Sequence, residues 1–341
     1  MLIKFSVSNY RGFNDTVCLD LVSKHDYRFN KECVVDGVVT KAIVYGKNTS
    51  GKSNLDKALF DIVGLLFGDN EDIVLNADSN QEYACFEYVF KKENKEIRFL
   101  YKKNGCSKLV YEKLMINDLL IYSYDYVNKE KCFENLDLIN ADSLNLDYLD
   151  DNLSLFRYIA NNTKQPKESL VRYVMSFVSS MKIDDVYSLI VENNLGKEFS
   201  LFLRDEFNID RELIVLDNLY LVEKHKNSYL KFLDVEPDSI KSLALFFYLK
   251  HKEVSLLFID DFGANYDYEL GKKVVLFMKR QKDIQFICAS NNTGLVSNEL
   301  LRPDCYYILN DGELRSFADS TNRELREGHN LEKMLRSGEF N

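Results

Sequence analysis

The chain opens on a period-two pattern. Ile3, Phe5 and Val7 share one face, and Val17, Leu19 and Leu21 share a face of the next run, which predicts two strands. Asp36-Gly37, between Val34-Val35 and Val38-Val39, predicts a hairpin turn, and the apolar run Ala42–Tyr45 leads as a strand into a glycine-bounded loop. Beyond that loop the spacing changes: Leu55, Leu59, Ile62, Leu65 and Leu66 fall at helical intervals, with Gly68 as the stop. From about Tyr83 to Tyr122 the alternation returns (Phe86, Tyr88, Phe90; Ile97, Phe99, Tyr101). With Asn104-Gly105 as a turn, it predicts an antiparallel sheet inserted after the first helix.

Glu134–Asp151 carries six acidic residues and no basic ones, and its apolar positions keep no steady period. It reads as a solvated loop, with a partner-docking segment as the alternative. Residues of roughly 152–205 are helical by pattern and propensity, with Pro166 between two helical segments. Leu213–Leu221 and Tyr229–Leu233 predict strands, and Ile240, Leu243, Ala244, Phe247 and Tyr248 outline an amphipathic helix. Val254–Ile259 is a buried strand ending in Asp260-Asp261. A helix over about 267–280, a buried strand Ile284–Cys288 and a short helix follow. A strand Cys305–Leu309, the turn Asn310-Asp311-Gly312 and a last strand then complete an alternating β/α half. The chain has no internal repeat, no low-complexity tract and no heptad run, which argues against a long coiled-coil arm.

Composition narrows the class. A chain of 341 residues, 46% hydrophobic and 29% charged with three prolines and 14 glycines, is an ordinary globular protein of about two domains. No apolar run approaches the ~20 residues of a membrane span, and Met1–Tyr10, with Lys4 and Asn9 inside it, does not read as a signal peptide. Cys18, Cys33, Cys85, Cys106, Cys132, Cys288 and Cys305 show no CxxC spacing, which predicts reduced thiols in a cytoplasmic protein and disfavours zinc. His25, His225, His251 and His329 have no ligand spacing either. Forty-four basic against 54 acidic residues leave −10, which opposes standing nucleic-acid binding over the whole surface and leaves open a local basic groove.

The chemistry concentrates in Gly46-Lys47-Asn48-Thr49-Ser50-Gly51-Lys52-Ser53, which fits G-x-x-x-x-G-K-[ST] between a strand and a helix. The glycines let successive N–H groups curl around a phosphate, and the helix N-terminus adds partial positive charge. Lys52 then reaches the β- and γ-phosphates of ATP and the Ser53 hydroxyl ligates Mg²⁺. The strand ending at Asp260 supplies a second metal-side carboxylate, and Asp261 takes the place where a water is polarised. No nuclease constellation is recognisable in the chain.

The opening IKFSVSNYRGF, the loop GKNTSGKS, the strand LLFIDDF and the later FICASNNT and LLRPDCYYILNDGEL carry a resemblance. Essentially the whole chain, including HNLEKMLRSGEF, resembles the ABC-type, SMC/RecF-like ATPases that occur as AAA-family ATP-binding proteins of bacterial abortive-infection (antiphage) systems. These are relatives of the ATPase domain of the OLD nucleases. The resemblance implies an α/β ABC-type P-loop NTPase head, with a mixed central sheet flanked by helices, an antiparallel β insertion and a helical insertion. The expected parts are an N-terminal lobe over 1–130, a helical insertion over 131–205 and a C-terminal lobe over 206–341. It implies ATP and Mg²⁺ as ligands, held by Gly46, Asn48, Ser50, Gly51, Lys52, Ser53 and Asn54, with Ser53 and Asp260 on the metal. It further implies a homo-oligomer and a partner effector, a nuclease or toxin encoded nearby. Arg11 stands where relatives contact nucleotide or the helical region, with a plain surface cation as the alternative.

Departures from the family pattern fall on the hydrolytic elements. Asp261 replaces the usual glutamate, one methylene and about 1.5 Å shorter. Asn291, in Ser290-Asn291-Asn292, matches the switch histidine, and Gly263 stands at the D-loop aspartate. Pro237-Asp238-Ser239-Ile240-Lys241 aligns with the signature segment without its glycine, leaving Ser239 and Lys241 to cap a partner's γ-phosphate. The expected function is an ATP-binding, slowly hydrolysing subunit. The alternatives are a non-hydrolysing regulatory subunit and a RecF-like DNA repair ATPase.

Overall fold

The computed structural model describes residues 1–68, 72–146, 153–164, 169–180, 183–225 and 228–340. Two large sheets organise them, beside a three-stranded and a two-stranded one. The larger is antiparallel and seven-stranded, in the order Glu130–Phe133, Leu119–Asp125, Leu109–Ile116, Lys95–Asn104, Tyr83–Lys92, Leu2–Ser8, Val17–Asp20. The period-two positions face inward as expected, with Phe86, Tyr88, Phe99 and Tyr101 fully buried. The opening strands also belong to this sheet, since Phe5 pairs with Leu19 on one side and Tyr88 on the other, so it is more than an insertion after the first helix.

The second sheet has six strands in the order Phe177–Ser179, Leu256–Ile259, Gln285–Ser290, Lys41–Tyr45, Tyr306–Asn310, Glu313–Ser316, all parallel except the last. Its central strands are buried along their whole length, which is why they read as continuous apolar runs.

The helix Lys52–Phe67 joins the two sheets. It ends, as its pattern predicts, at Gly68 in the left-handed conformation. The Tyr88 hydroxyl donates to the carbonyls of Ala58 and Leu59 at 2.9 and 3.1 Å, and Phe60 packs edge-on against Phe177 of the second sheet. Asp61, one turn on, takes the Tyr101 hydroxyl at 2.7 Å and pairs with Lys103 Nζ at 2.7 Å, both charged side chains being at most 5% exposed. Removing one member of such a pair strands the other's charge in the interior. Lys103→Met is therefore expected to lower unfolding stability in urea by about 3 to 5 kcal/mol, and Asp61→Leu added to it to restore most of the loss. A Lys103→Met loss under about 1 kcal/mol would show that the pair is hydrated.

Three element readings are corrected. The segment expected to be all helix (Leu155–Asn162, Leu170–Met175, Ile183–Glu192, Gly196–Phe207) also holds the strand Phe177–Ser179. Three residues are too few to show a period, and parallel pairing with Leu256–Phe258 makes them a strand. Leu213–Leu221 is two strands, Leu213–Leu216 and Tyr220–His225, separated by a turn in which Asp217 and Asn218 both take positive φ without a glycine to announce it. The helix expected from Ile240 breaks into Asp238–Lys241 and Ala244–Tyr248, where the Ser242 hydroxyl bonds back to the Ser239 carbonyl at 2.9 Å. Ser239 thus lies inside the one-turn helix Asp238–Lys241. Within the acidic stretch, Leu136–Ile139 forms a 3₁₀ turn. Its residues 147–151, and Pro166, lie outside the described residues.

Candidate functional site

Parallel strands deliver their carboxyl ends to one edge of a sheet, and loops leaving that edge converge. Here four of those ends are Tyr45, Ile259, Ser290 and Ser179. They bring the loop 46–53, Asp260-Asp261, Asn291 and Ser180 to the same edge. Asn48, Thr49, Gly51, Lys52, Ser53 and Asn54 face Asp261 and Asn291 across one cleft of about 270 Å³.

The loop's shape follows from its small residues. Gly51, at φ +101°, begins the helix, and a Cβ there would lie 2.5 Å from the buried Phe13 ring. Gly46 lies under the Ser50 hydroxyl, which is buried and has no hydrogen-bond partner among the described residues. An orphaned buried hydroxyl inside a curl of backbone N–H groups fits an anion bound there.

Lys52, 7% exposed, donates from Nζ to the carbonyls of Gly46 and Lys47 at 2.9 and 3.0 Å. Burial pulls its pKa below the ordinary lysine value, against the opposing pull of Asp260 and Asp261. The ammonium is held by loop carbonyls within reach of the charges of Asp260 and Asp261.

Asp261 is exposed at φ +50°, and its N–H donates to Asp260 Oδ1 at 3.0 Å. The Ser290 hydroxyl donates to the Phe262 carbonyl at 2.7 Å, and Asn292 Nδ2 donates to the Gly263 carbonyl at 2.8 Å. Those two side chains hold the loop after Asp261, while Asn291 is left exposed at the cleft. Gly263 stands at φ +72°, with the Leu295 side chain 2.9 Å from where a Cβ would project, so an aspartate there would be strained and would require Leu295 to shift.

The other candidates lie apart. Arg11 does not line the cleft: its side chain stacks on Tyr10 with Nε donating to the Tyr10 hydroxyl at 3.0 Å, although the neighbouring Gly12 packs against Asn54. Ser239 and Lys241 are also outside the cleft. Lys241 pairs with Asp238 at 3.3 Å, and its carbonyl accepts the Tyr187 hydroxyl at 2.8 Å. Ser180, Ser290 and Asn292 are site residues that motif reading passes over. Only the serines and asparagine at strand ends, in ASNN and FVSS, hint at them.

The architecture matches a solved SMC head bound to the C-winged helix domain of ScpA with a TM-score of 0.50 and 14% identity, over 92% of this chain and 96% of that one. The fold is that of an SMC head, an ABC-type P-loop ATPase domain. The SMC head domain from Thermotoga maritima aligns at TM-score 0.49 and 16% identity over 92% of this chain and 97% of its own. A head with an extended coiled coil, bound to the C-terminal domain of ScpA derived from Pyrococcus furiosus, aligns at 0.47 and 13% over 99% and 98%. No family model matches the sequence, and no curated protein does. In this SMC-head fold the cleft lies at the phosphate loop, and no helix among the described residues is long and apolar enough to cross a membrane.

Proposed function

We propose that this chain is an ATP-binding, slowly hydrolysing ABC-type ATPase subunit of a bacterial antiphage system, in which nucleotide controls assembly or release of a partner effector. The observation that carries the reading is the convergence of Lys52, Ser53, Asp261 and Asn291 on one cleft, with Asp260 outside its lining but accepting the Asp261 N–H. The loop N–H groups and the Ser50 hydroxyl bind phosphate oxygens, and Lys52 turns from the Gly46 and Lys47 carbonyls to the β- and γ-phosphates. The Ser53 hydroxyl and the Asp260 carboxylate are the hard oxygen donors that Mg²⁺ prefers, and they would hold it. Bound there, Mg²⁺ supplies charge neutralisation across the phosphates. Asp261 orients the attacking water over a reach shortened by one methylene, and Asn291, which does not titrate, orients without exchanging a proton. Both substitutions support slow turnover, and they equally favour a non-hydrolysing regulatory subunit as the second reading.

Ser239 and Lys241, remote from the cleft of their own chain, would cap the γ-phosphate of a second copy, Lys241 as a point charge without a guanidinium fork. A ligand shifts assembly only through its difference in affinity between states, so ATP stabilises the oligomer modestly when the cap is weak. The sequence resemblance supports the antiphage setting and an effector encoded nearby. The net charge of −10 weighs against a RecF-like repair role.

Two measurements test the proposal. Titration calorimetry with ATP and Mg²⁺ is expected to show saturable binding, and absence of heat at millimolar nucleotide would end it. Solution mass with and without ATP and Mg²⁺ is expected to show a dimer or higher oligomer that nucleotide strengthens. A strict monomer in both conditions would favour the regulatory subunit.

A further inference from the structure

We propose that Ser180 is a positioning residue for the metal side of the cleft, acting through the backbone of Asp260. The inference rests on the ATP and Mg²⁺ reading above and adds to it a residue outside every motif.

The strand Phe177–Ser179 is three residues long, stands at the sheet edge and, among the described residues, pairs on one side only. It is nevertheless fastened at both ends. Before it, the Ser176 hydroxyl donates to Ser255 Oγ at 2.8 Å, and the Ser255 N–H donates to the Ser176 carbonyl at 3.1 Å. At its far end the Ser179 hydroxyl donates to Asp56 Oδ2 at 2.9 Å, with Ser179 6% and Asp56 1% exposed. A carboxylate is that deeply buried only where it is bonded. Asp56 follows Ser53 by three positions, one helical turn, so its anchor also fixes the rotation of the turn that carries the Ser53 hydroxyl.

The next residue, Ser180, reaches the acid itself. Its hydroxyl accepts the Asp260 N–H at 3.0 Å, a donor that has just left the strand ladder. Asp260 Oδ1 in turn accepts the Asp261 N–H at 3.0 Å. One carboxylate oxygen is thereby committed to backbone, and among the described residues the other is left for a cation. Mg²⁺ demands near-ideal octahedral geometry and gives little when a ligand drifts. A segment tied to the Ser53 helix through Ser179 and to Asp260 through Ser180 holds the two proposed metal ligands in register.

The test measures binding, not turnover. ATP affinity is recorded by calorimetry across a Mg²⁺ titration and again in EDTA, for wild type, Ser180→Ala and Ser180→Thr. Ser180→Ala is expected to raise the Mg²⁺ concentration for half-maximal ATP binding by roughly five- to tenfold, the effect of one hydrogen bond, while affinity in EDTA and the melting temperature hold. Ser180→Thr, which keeps the hydroxyl, is expected to restore the wild-type requirement. A wild-type Mg²⁺ requirement in Ser180→Ala, an equal loss with and without Mg²⁺, or failure of threonine to rescue would each overturn the assignment and leave the ATP reading standing. Wild type that binds ATP with no dependence on Mg²⁺ would overturn the metal reading itself, and this inference with it.

Discussion

Lys52→Ala is expected to weaken ATP binding in the presence of Mg²⁺ by at least about 100-fold, because two charge-assisted hydrogen bonds to phosphate contribute roughly 3 kcal/mol or more together. The side chain is already held at the loop by the Gly46 and Lys47 carbonyls, so little conformational freedom is lost when it turns to a nucleotide. Alanine frees two carbonyls on a loop where Lys47 is exposed and Gly46 only half-buried, and the melting temperature without nucleotide is expected to change little. Calorimetry giving the same affinity for the variant and wild type would remove the site from the loop.

Asp261→Glu combined with Asn291→His is expected to raise ATP turnover on the order of 10- to 100-fold, since misplacement by about an ångström costs up to roughly 100-fold. Both side chains already face the cleft, so neither change calls for a new backbone path. The backbone explains the shorter acid. Asp261 stands at φ +50°, a conformation that aspartate adopts more readily than glutamate, at a cost of about 1 kcal/mol for the longer residue. That strain places the gain below the full geometric value, and histidine restores a group able to exchange a proton near neutral pH. A wild-type rate already near the ~10 s⁻¹ typical of enzymes would show that other residues perform these roles.

The reach of sequence reading follows chain separation. The loop 46–53 was legible because its function lies in eight consecutive residues whose backbone they themselves shape. The acid pair was legible because a fully buried strand has to be apolar and its end is marked by the first charges. Asn291 was found only through the family resemblance, as the match to a switch histidine, and the structure places it just past the strand Gln285–Ser290. Ser180 was not, because its partner Asp260 is 80 positions away and a serine just past a short edge strand resembles any other. Nor were Asn292 and Ser290, whose acceptors on the loop after Asp261 lie 29 and 28 positions away.

By itself the sequence determined what depends on neighbours along the chain: the alternation of the antiparallel sheet, the phosphate loop, the helix running from it to Gly68, and the buried strands of the second half. These rest on backbone geometry and on side-chain periods of two and 3.6, which a window of consecutive residues within an element displays. Tertiary structure alone decided that the opening strands join the antiparallel sheet and that Phe177–Ser179 becomes the edge of the other. It also decided that Asp61 and Lys103 are a buried pair, and that Ser180 meets Asp260. Each of these is a pairing between distant segments. Its hydrogen bonds exist only after the sheets have closed, so no local pattern records which partner each group takes.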